Sequence, residues 1–285
     1  MTTKSQHIHH HDQPDRPRDQ PTGPASSGEA ARFAHHAEQM LGHEVAHEAF
    51  PRWRTSRRAR ILAAIYLIGV ACFVALAVAA HAMRVLPDDV AITRALQANH
   101  APLLLWLMSG VSALGYFVQS TIVFVVVVLT LWLVRLRLEA VFMFLTLSGN
   151  LLNELLKLIV DRQRPASSIV RVLQPAGGPS FPSGHVMHYT IFYGLLAFLL
   201  AARIRSNWWR NLIIGWCLAL IVLVGPSRVY LGAHWASDVV GAYLAGALWL
   251  GLLILAYQWV EARYIVLRRP PWIERRPVRR TRAKK

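Results

Sequence analysis

Six stretches of this chain are apolar for about 20 residues at a time, the length a helix needs to cross the hydrocarbon core of a bilayer. They run approximately over 61–83, 111–134, 138–160, 184–202, 208–224 and 236–260. Only 16% of the 285 residues are charged, against about 25% in a typical soluble domain, so composition leans the same way. The expected fold is therefore all-α, a polytopic membrane protein with six transmembrane helices. The stretch 102–134 is too long for one upright helix. Residues 103–108 read as an interfacial approach to the second span, punctuated by Ser109-Gly110 and by Gly115. In the linker 84–101, Val90, Ile92, Ala95 and Leu96 recur at helical spacing after Pro87-Asp88-Asp89, which suits a helix lying in the membrane interface.

The formal net charge of +16 would suit a nucleic-acid-binding protein, but its distribution does not. The Arg and Lys residues flank apolar runs and form no interleaved basic and aromatic face, so no nucleic-acid partner is expected. By the positive-inside rule they orient the chain. Arg52, Arg54, Arg57, Arg58 and Arg60 precede the first span, Arg135 and Arg137 join spans two and three, and Arg203, Arg205 and Arg210 join spans four and five. Arg and Lys also dominate 263–285. Six spans put all four segments on one side, so both termini are expected in the cytoplasm of a multi-pass inner (plasma) membrane protein. The loops 84–110, 161–183 and 225–235 then lie outside. Residues 1–52 read as a polar, largely disordered cytoplasmic tail with a short helix around 29–50, residues 53–262 as the six-span domain, and 263–285 as a basic cytoplasmic tail. No apolar signal-peptide core lies in 1–50, so the first span is expected to act as an uncleaved anchor. Cys72 and Cys217 sit in apolar runs and read as packing residues.

Three short patterns fall at the outer ends of these spans. Lys157 is followed after six residues by Arg164-Pro165; Pro182-Ser183-Gly184-His185 opens the fourth span; Ser227-Arg228 is followed by His234 and then Asp238. Ionisable groups beside hydrocarbon are kept where they pair or line a polar cavity. Lys157, Arg164 and Arg228 supply three cations from different segments, which matches a phosphate dianion and its growing charge in a transition state. Lys157 and Arg164 are about two helical turns apart, so both can reach one side of the third span's end, and Pro165 disfavours helix at Arg164. Ser183 is placed to cap the fourth span. The free N–H groups after it, with Gly184 permitting close approach, form a seat for an anion. His234 and Asp238 are i and i+4 on one helix face, so the carboxylate can accept the imidazole N–H, fix its tautomer and stabilise positive charge.

In identity, order and spacing these patterns resemble the three-part signature of the type 2 phosphatidic acid phosphatase family, whose fold is shared with vanadium-dependent haloperoxidases. The resemblance covers roughly 60–262. It implies a membrane lipid phosphatase in which His234 attacks phosphorus, Asp238 orients it, and His185 protonates the leaving alkoxide. Lys157, Arg164, Ser183, Gly184 and Arg228 would hold the phosphate, and water would hydrolyse the phosphohistidine. The Lys and Arg residues neutralise the phosphate, so no metal and no cofactor is expected. The implied substrate is a lipid phosphate or diphosphate of the phosphatidate, phosphatidylglycerol phosphate or undecaprenyl diphosphate type. After His185 the run Val186-Met187-His188-Tyr189 stands where the family more often has small or hydroxyl residues, and His188 reads as a packed histidine before an extension of the proton network. Asn150, Asn153 and Glu154 read as hydrogen-bonding groups within the third span, with Glu154 in reach of Lys157. Ser227 reads equally as a turn residue and as a phosphate contact.

Two other classes leave marks in the sequence. His43-Glu44-Val45-Ala46-His47 matches the H-E-x-x-H pattern of zinc proteases, but no third ligand stands nearby and no Asp-Gly occurs in the chain. His7, His9, His10 and His11 form a loose metal-binding run at most. A rhomboid-type serine protease would want Gly-x-Ser-Gly, whereas Ser183-Gly184 follows Phe181-Pro182. A transporter or lipid-binding scaffold would leave all three patterns unexplained.

Overall fold

The computed structural model describes residues 57–268, and every regular element among them is an α-helix. In chain order they are α1 (Arg57–Ala82), α2 (Asp89–Gln97), α3 (Pro102–Ala113), α4 (Phe117–Leu133), α5 (Arg137–Leu145), α6 (Leu147–Val160), α7 (Gly184–Arg203), α8 (Trp208–Tyr230) and α9 (Ala236–Arg268). The expected tails, with the histidine run and the His43–His47 pattern, lie outside the described residues.

Five spans are long and apolar enough to cross a bilayer: α1, the α5–α6 pair, α7, α8 and α9. A sixth exists if α3 and α4, bent by 58° at their junction, count as one. The expected second span over 111–134 is thus not a single rod. α3 runs straight through Ser109-Gly110, and the break falls at 114–116 around Gly115. α8 also continues past the expected end at 224, through Gly225-Pro226 to Tyr230, so Ser227 and Arg228 stand on a helix instead of in a loop. Pro226 has no N–H to give to the preceding turn. The Tyr243 hydroxyl of α9 bridges the disturbed turn, accepting from Gly225 N–H at 3.2 Å, donating to Ile221 O at 2.5 Å and reaching Val222 O, the carbonyl that Pro226 leaves without its helical donor, at 3.4 Å. Such repair by a neighbouring helix is what makes proline tolerable inside a span.

α7 is the innermost helix, packed against α5, α6, α8 and α9. It buries Val186, Tyr189, Phe192 and Leu195 against Phe142, Leu220, Val224 and Tyr257. α1 lies at the periphery, with Leu67 and Ile68 exposed as lipid-facing side chains would be. Lipid is as apolar as leucine, so close packing and polar joints must hold helices together. One such joint closes the end where α5 begins and α7 ends. There the buried Glu139 accepts from Tyr257 Oη at 2.9 Å and from Arg203 Nε, and Arg203 also reaches Glu261 at 2.7 Å.

α2 forms where the sequence suggests, but its sides are inverted relative to a soluble amphipathic helix. Asp89, Thr93 and Gln97, spaced by four, are buried against the bundle, while Ile92 and Leu96 face outward. Gln97 donates to Tyr230 O and Arg171 O, and its Oε1 accepts from Arg171 N–H. The polar face is the one docked on protein, which leaves the apolar face for lipid.

Candidate active site

The C-terminal ends of α6 and α8 and the N-terminal ends of α7 and α9 meet at one end of the bundle, bridged by the loops 161–183 and 231–235. α6 stops at Asp161, which takes left-handed backbone angles (φ 43°). Arg164 is therefore not on the helix, as a reach of two turns from Lys157 would have it. It lies three residues further on, in the loop. There its Nε donates to Gly177 O and Gly178 O, its Nη2 to Pro179 O, and its Nη1 to Ala233 O at 2.8 Å. The same Nη1 lies 3.1 Å from His234 Nε2. Burial pushes the guanidinium below its ordinary pKa, against the pull of Asp238 and Glu154.

That contact fixes the histidine's chemistry. Arginine has only donors, so Nε2 must offer its lone pair, and the ring proton sits on Nδ1. Nδ1 faces Asp238 Oδ2 at 3.5 Å without forming a hydrogen bond of good geometry. His234 and Asp238 do not share a helix face: α9 starts at Ala236, and His234 precedes it in the loop. Asp238 stands in the first turn and its Oδ2 accepts from Trp235 N–H at 2.9 Å, as an acidic residue at the third helical position does in a capping box. Burial pushes the His234 imidazole down to about 4, outweighing the upward pull of Asp238, and Arg164 and Arg228 push it further down. At neutral pH the ring is uncharged and its Nε2 lone pair is available.

His234 reaches this place because Gly232 turns the chain with φ 70°. A β-carbon there would sit 2.1 Å from Arg171 O, so only glycine fits.

The remaining residues close around this point. Ser183 occupies the N-cap place of α7, but contrary to the capping expectation its hydroxyl makes no cap hydrogen bond. Its own N–H donates to Asp238 O at 3.3 Å, tying α7 to α9. The first N–H groups of any helix lack partners within it, so the start of α7 offers several donors beside Gly184. A β-carbon on Gly184 would lie 3.6 Å from Lys157 Nζ, which places that ammonium over the same turn while it pairs with Glu154 at 2.7 Å. Arg228 is buried, with Nη1 donating to Ser112 Oγ and to Gln174 Oε1 at 3.0 Å. Among the described residues, the buried side-chain nitrogen and oxygen atoms without a hydrogen-bond partner are Ser183 Oγ, His185 Nε2, Arg228 Nε and His234 Nδ1. Each belongs to one of the three patterns; His234 Nδ1 faces Asp238, which leaves Ser183 Oγ, His185 Nε2 and Arg228 Nε as buried groups that a polar ligand could meet.

Other expectations divide. His188 is packed, its ring stacked on Phe192 at 5.5 Å. Asn153 donates to Pro182 O at 3.2 Å and buttresses the turn before α7. Ser227 is an interhelical link, donating to Met108 O at 2.6 Å.

Some residues at the site were not singled out from sequence. The ring of Tyr116 stands edge-on to His185 with centroids 5.7 Å apart, and a β-carbon on Gly115 would lie 2.4 Å from His185 Cδ2. The helix break at 114–116 is thus what gives His185 its room. Arg162 is fully buried and donates to Asp238 Oδ1 at 2.6 Å and to Asp89 Oδ2 at 2.7 Å. The signal for it was present but unread: an arginine between Lys157 and Arg164, just beyond the third span, and an acidic pair, Asp88-Asp89, in the linker before the second.

The profile of the PAP2 superfamily matches residues 138–263, which contain all three patterns. The chain is 32% identical over 181 residues to phosphatidylglycerophosphatase B of Bacillus subtilis (strain 168), covering 62% of this chain and 86% of that protein. It is 29% identical over 145 residues to undecaprenyl-diphosphatase BcrC of the same organism, covering 48% of this chain and 69% of that one. The fold is similar to the crystal structure of a transmembrane PAP2-type phosphatidylglycerolphosphate phosphatase from Bacillus subtilis, with a TM-score of 0.59 and 29% identity over 66% of this chain and 93% of that one. The chain belongs to the PAP2 superfamily, as a membrane-spanning phosphoric ester hydrolase.

Proposed function

We propose that this protein hydrolyses a lipid phosphate or diphosphate through a phosphohistidine on His234, at the outer face of the membrane. The observation that carries the reading is the 3.1 Å approach of Arg164 Nη1 to His234 Nε2, which aims an uncharged nitrogen's lone pair into a nest of cations. A phosphate entering there would exchange the Arg164–His234 contact for an Arg164–phosphate one. Nε2 would attack phosphorus in line with the departing oxygen. Lys157, Arg164, Arg228 and the first N–H groups of α7 would take up charge on the remaining oxygens. Asp238 would stabilise the positive charge that develops on the ring. His185 would hand its proton to the leaving oxygen and then take one from the water that splits the P–N bond.

The substrate class rests on the site's position at the end of a bundle with lipid-facing helices, and on the two Bacillus relatives, which are named for phosphatidylglycerol phosphate and undecaprenyl diphosphate. Phosphate release from a panel of phosphatidate, phosphatidylglycerol phosphate and undecaprenyl diphosphate in detergent tests it. Turnover of at least one is expected, equal with and without EDTA and inhibited by vanadate, a mimic of the five-coordinate transition state. A chain starting at Arg52 should retain that turnover. Activity lost with EDTA and restored by zinc would instead point to His43 and His47.

The site's sidedness follows from charge. Arg137, Arg203 and Arg210 gather at the opposite end of the bundle, which the positive-inside rule puts in the cytoplasm. Single cysteines placed within 166–180, after Cys72 and Cys217 are replaced, should react with membrane-impermeant thiol reagents in intact cells. Reaction only after lysis would invert the topology.

A further inference from the structure

We infer that Asp89 and Arg162 are positioning residues for the nucleophile, and that the chain Asp89–Arg162–Asp238–His234 sets both the aim of His234 and the charge it feels. The inference rests on the reading of His234 as nucleophile. Four of the five Arg162 donor sites are in use: Nη1 gives to Asp238 Oδ1 at 2.6 Å and Ser237 Oγ at 2.7 Å, Nη2 to Asp89 Oδ2 at 2.7 Å, and Nε to Arg84 O at 3.2 Å. Asp89 in turn accepts from Ser237 N–H at 2.9 Å and from Leu86 N–H at 3.1 Å. All three charged side chains are at most 2% exposed.

Two consequences follow. Arg162 on Oδ1 and Trp235 N–H on Oδ2 hold the Asp238 carboxylate from both sides, so its Oδ2 can face Nδ1 of His234 in one orientation only. An arginine so close to Asp238 would also cancel the negative charge that His234 needs as its ring becomes positive. Asp89 restores it, since two carboxylates and one guanidinium leave a net charge of −1 beside the ring. Three desolvated charges are a poor way to gain stability, because apolar residues of like volume usually do as well or better. They are a good way to hold one carboxylate still. α2 thereby helps to aim the nucleophile, although it carries none of the residues that would touch phosphate.

The test reads charge, which a merely structural role would not follow. Asp89→Asn keeps shape but takes the trio from −1 to 0. It should lower kcat about ten- to a hundredfold at unaltered KM, with slower formation of the phosphoenzyme. Adding Arg162→Gln to that variant returns the trio to −1 and should recover part of the lost kcat. Asp89→Asn with wild-type kcat would overturn the inference, and a double variant as slow as Asp89→Asn, or slower, would overturn its charge half and leave Arg162 only the aiming of Asp238. If Asp89→Asn does not accumulate as folded protein, Arg162→Lys decides. It keeps the charge and loses the fork, so kcat should fall at least about tenfold if Arg162 positions Asp238, and a rate near wild type would refute that. His234→Ala assayed in parallel separates the two readings: turnover surviving there removes the nucleophile assignment, whatever the Asp89 variants do.

Discussion

His234→Ala is expected to abolish turnover on every phosphorylated lipid, by at least about ten-thousandfold, and with it any acid-labile phosphate trapped on the protein. Lys157, Arg164 and Arg228 are donors only, and His185 is assigned the leaving-group proton, which leaves His234 as the nucleophile. Quenching with radiolabelled substrate reads the trapped phosphate directly, and label persisting in His234→Ala would place the nucleophile elsewhere. The same residue sets a pH dependence. The neutral ring is the reactive form, and burial holds it neutral down to about 4. The acid limb that His234 contributes to kcat/KM should therefore appear only as pH drops through about 4, not in the ordinary histidine range near 6.5. Asp238→Asn removes the carboxylate that pulls the His234 pKa upward. It should move the acid limb to still lower pH while lowering the plateau on all substrates alike.

His185→Ala should separate substrates that Asp238→Asn does not. A lipid monoester expels an alkoxide that needs a proton, and removing the donor is expected to cost about a hundred- to ten-thousandfold on phosphatidate. An activated aryl ester needs that proton far less, so p-nitrophenyl phosphate turnover should survive much better, as should a diphosphate whose leaving group is itself a phosphate. Phosphoenzyme should still form with those substrates and build up if the missing histidine also slows its hydrolysis. Equal losses across all leaving groups would refute the assignment of His185 as the proton donor.

Membrane class, the limits of most spans, and the residue types of the proposed phosphate site were legible without coordinates. Bilayer thickness acts locally: a helix must stay apolar for its full crossing, and that requirement is written along the chain. Phosphate chemistry is similarly legible, because three cations and two histidines among apolar runs admit few other uses. Where the local reading failed, the deciding partner was far away in sequence. Ser109-Gly110 and Gly115 are equal as helix breakers on paper. Only Gly115 faces His185, with no room for a side chain, and the bend is there. Pro226 should end a helix, but a tyrosine 17 residues on bridges the disturbed turn with its hydroxyl. The i, i+4 spacing of His234 and Asp238 suggested one helix face, whereas the left-handed turn at Gly232 sets the histidine before the helix starts.

Asp89 and Arg162 mark the limit most clearly. Each is an ordinary charged residue in its own neighbourhood, in a linker and just beyond a span. Only the docking of α2 against α8 and the start of α9, beside the loop that follows α6, brings them together with Asp238, across separations of 73 and 76 residues, and removes all three from water. A charge's value depends on the dielectric around it and on the partners within a few ångströms. Neither exists until the helices pack, so the sequence named the groups proposed to meet phosphate, and the tertiary structure assembled those we infer to aim them.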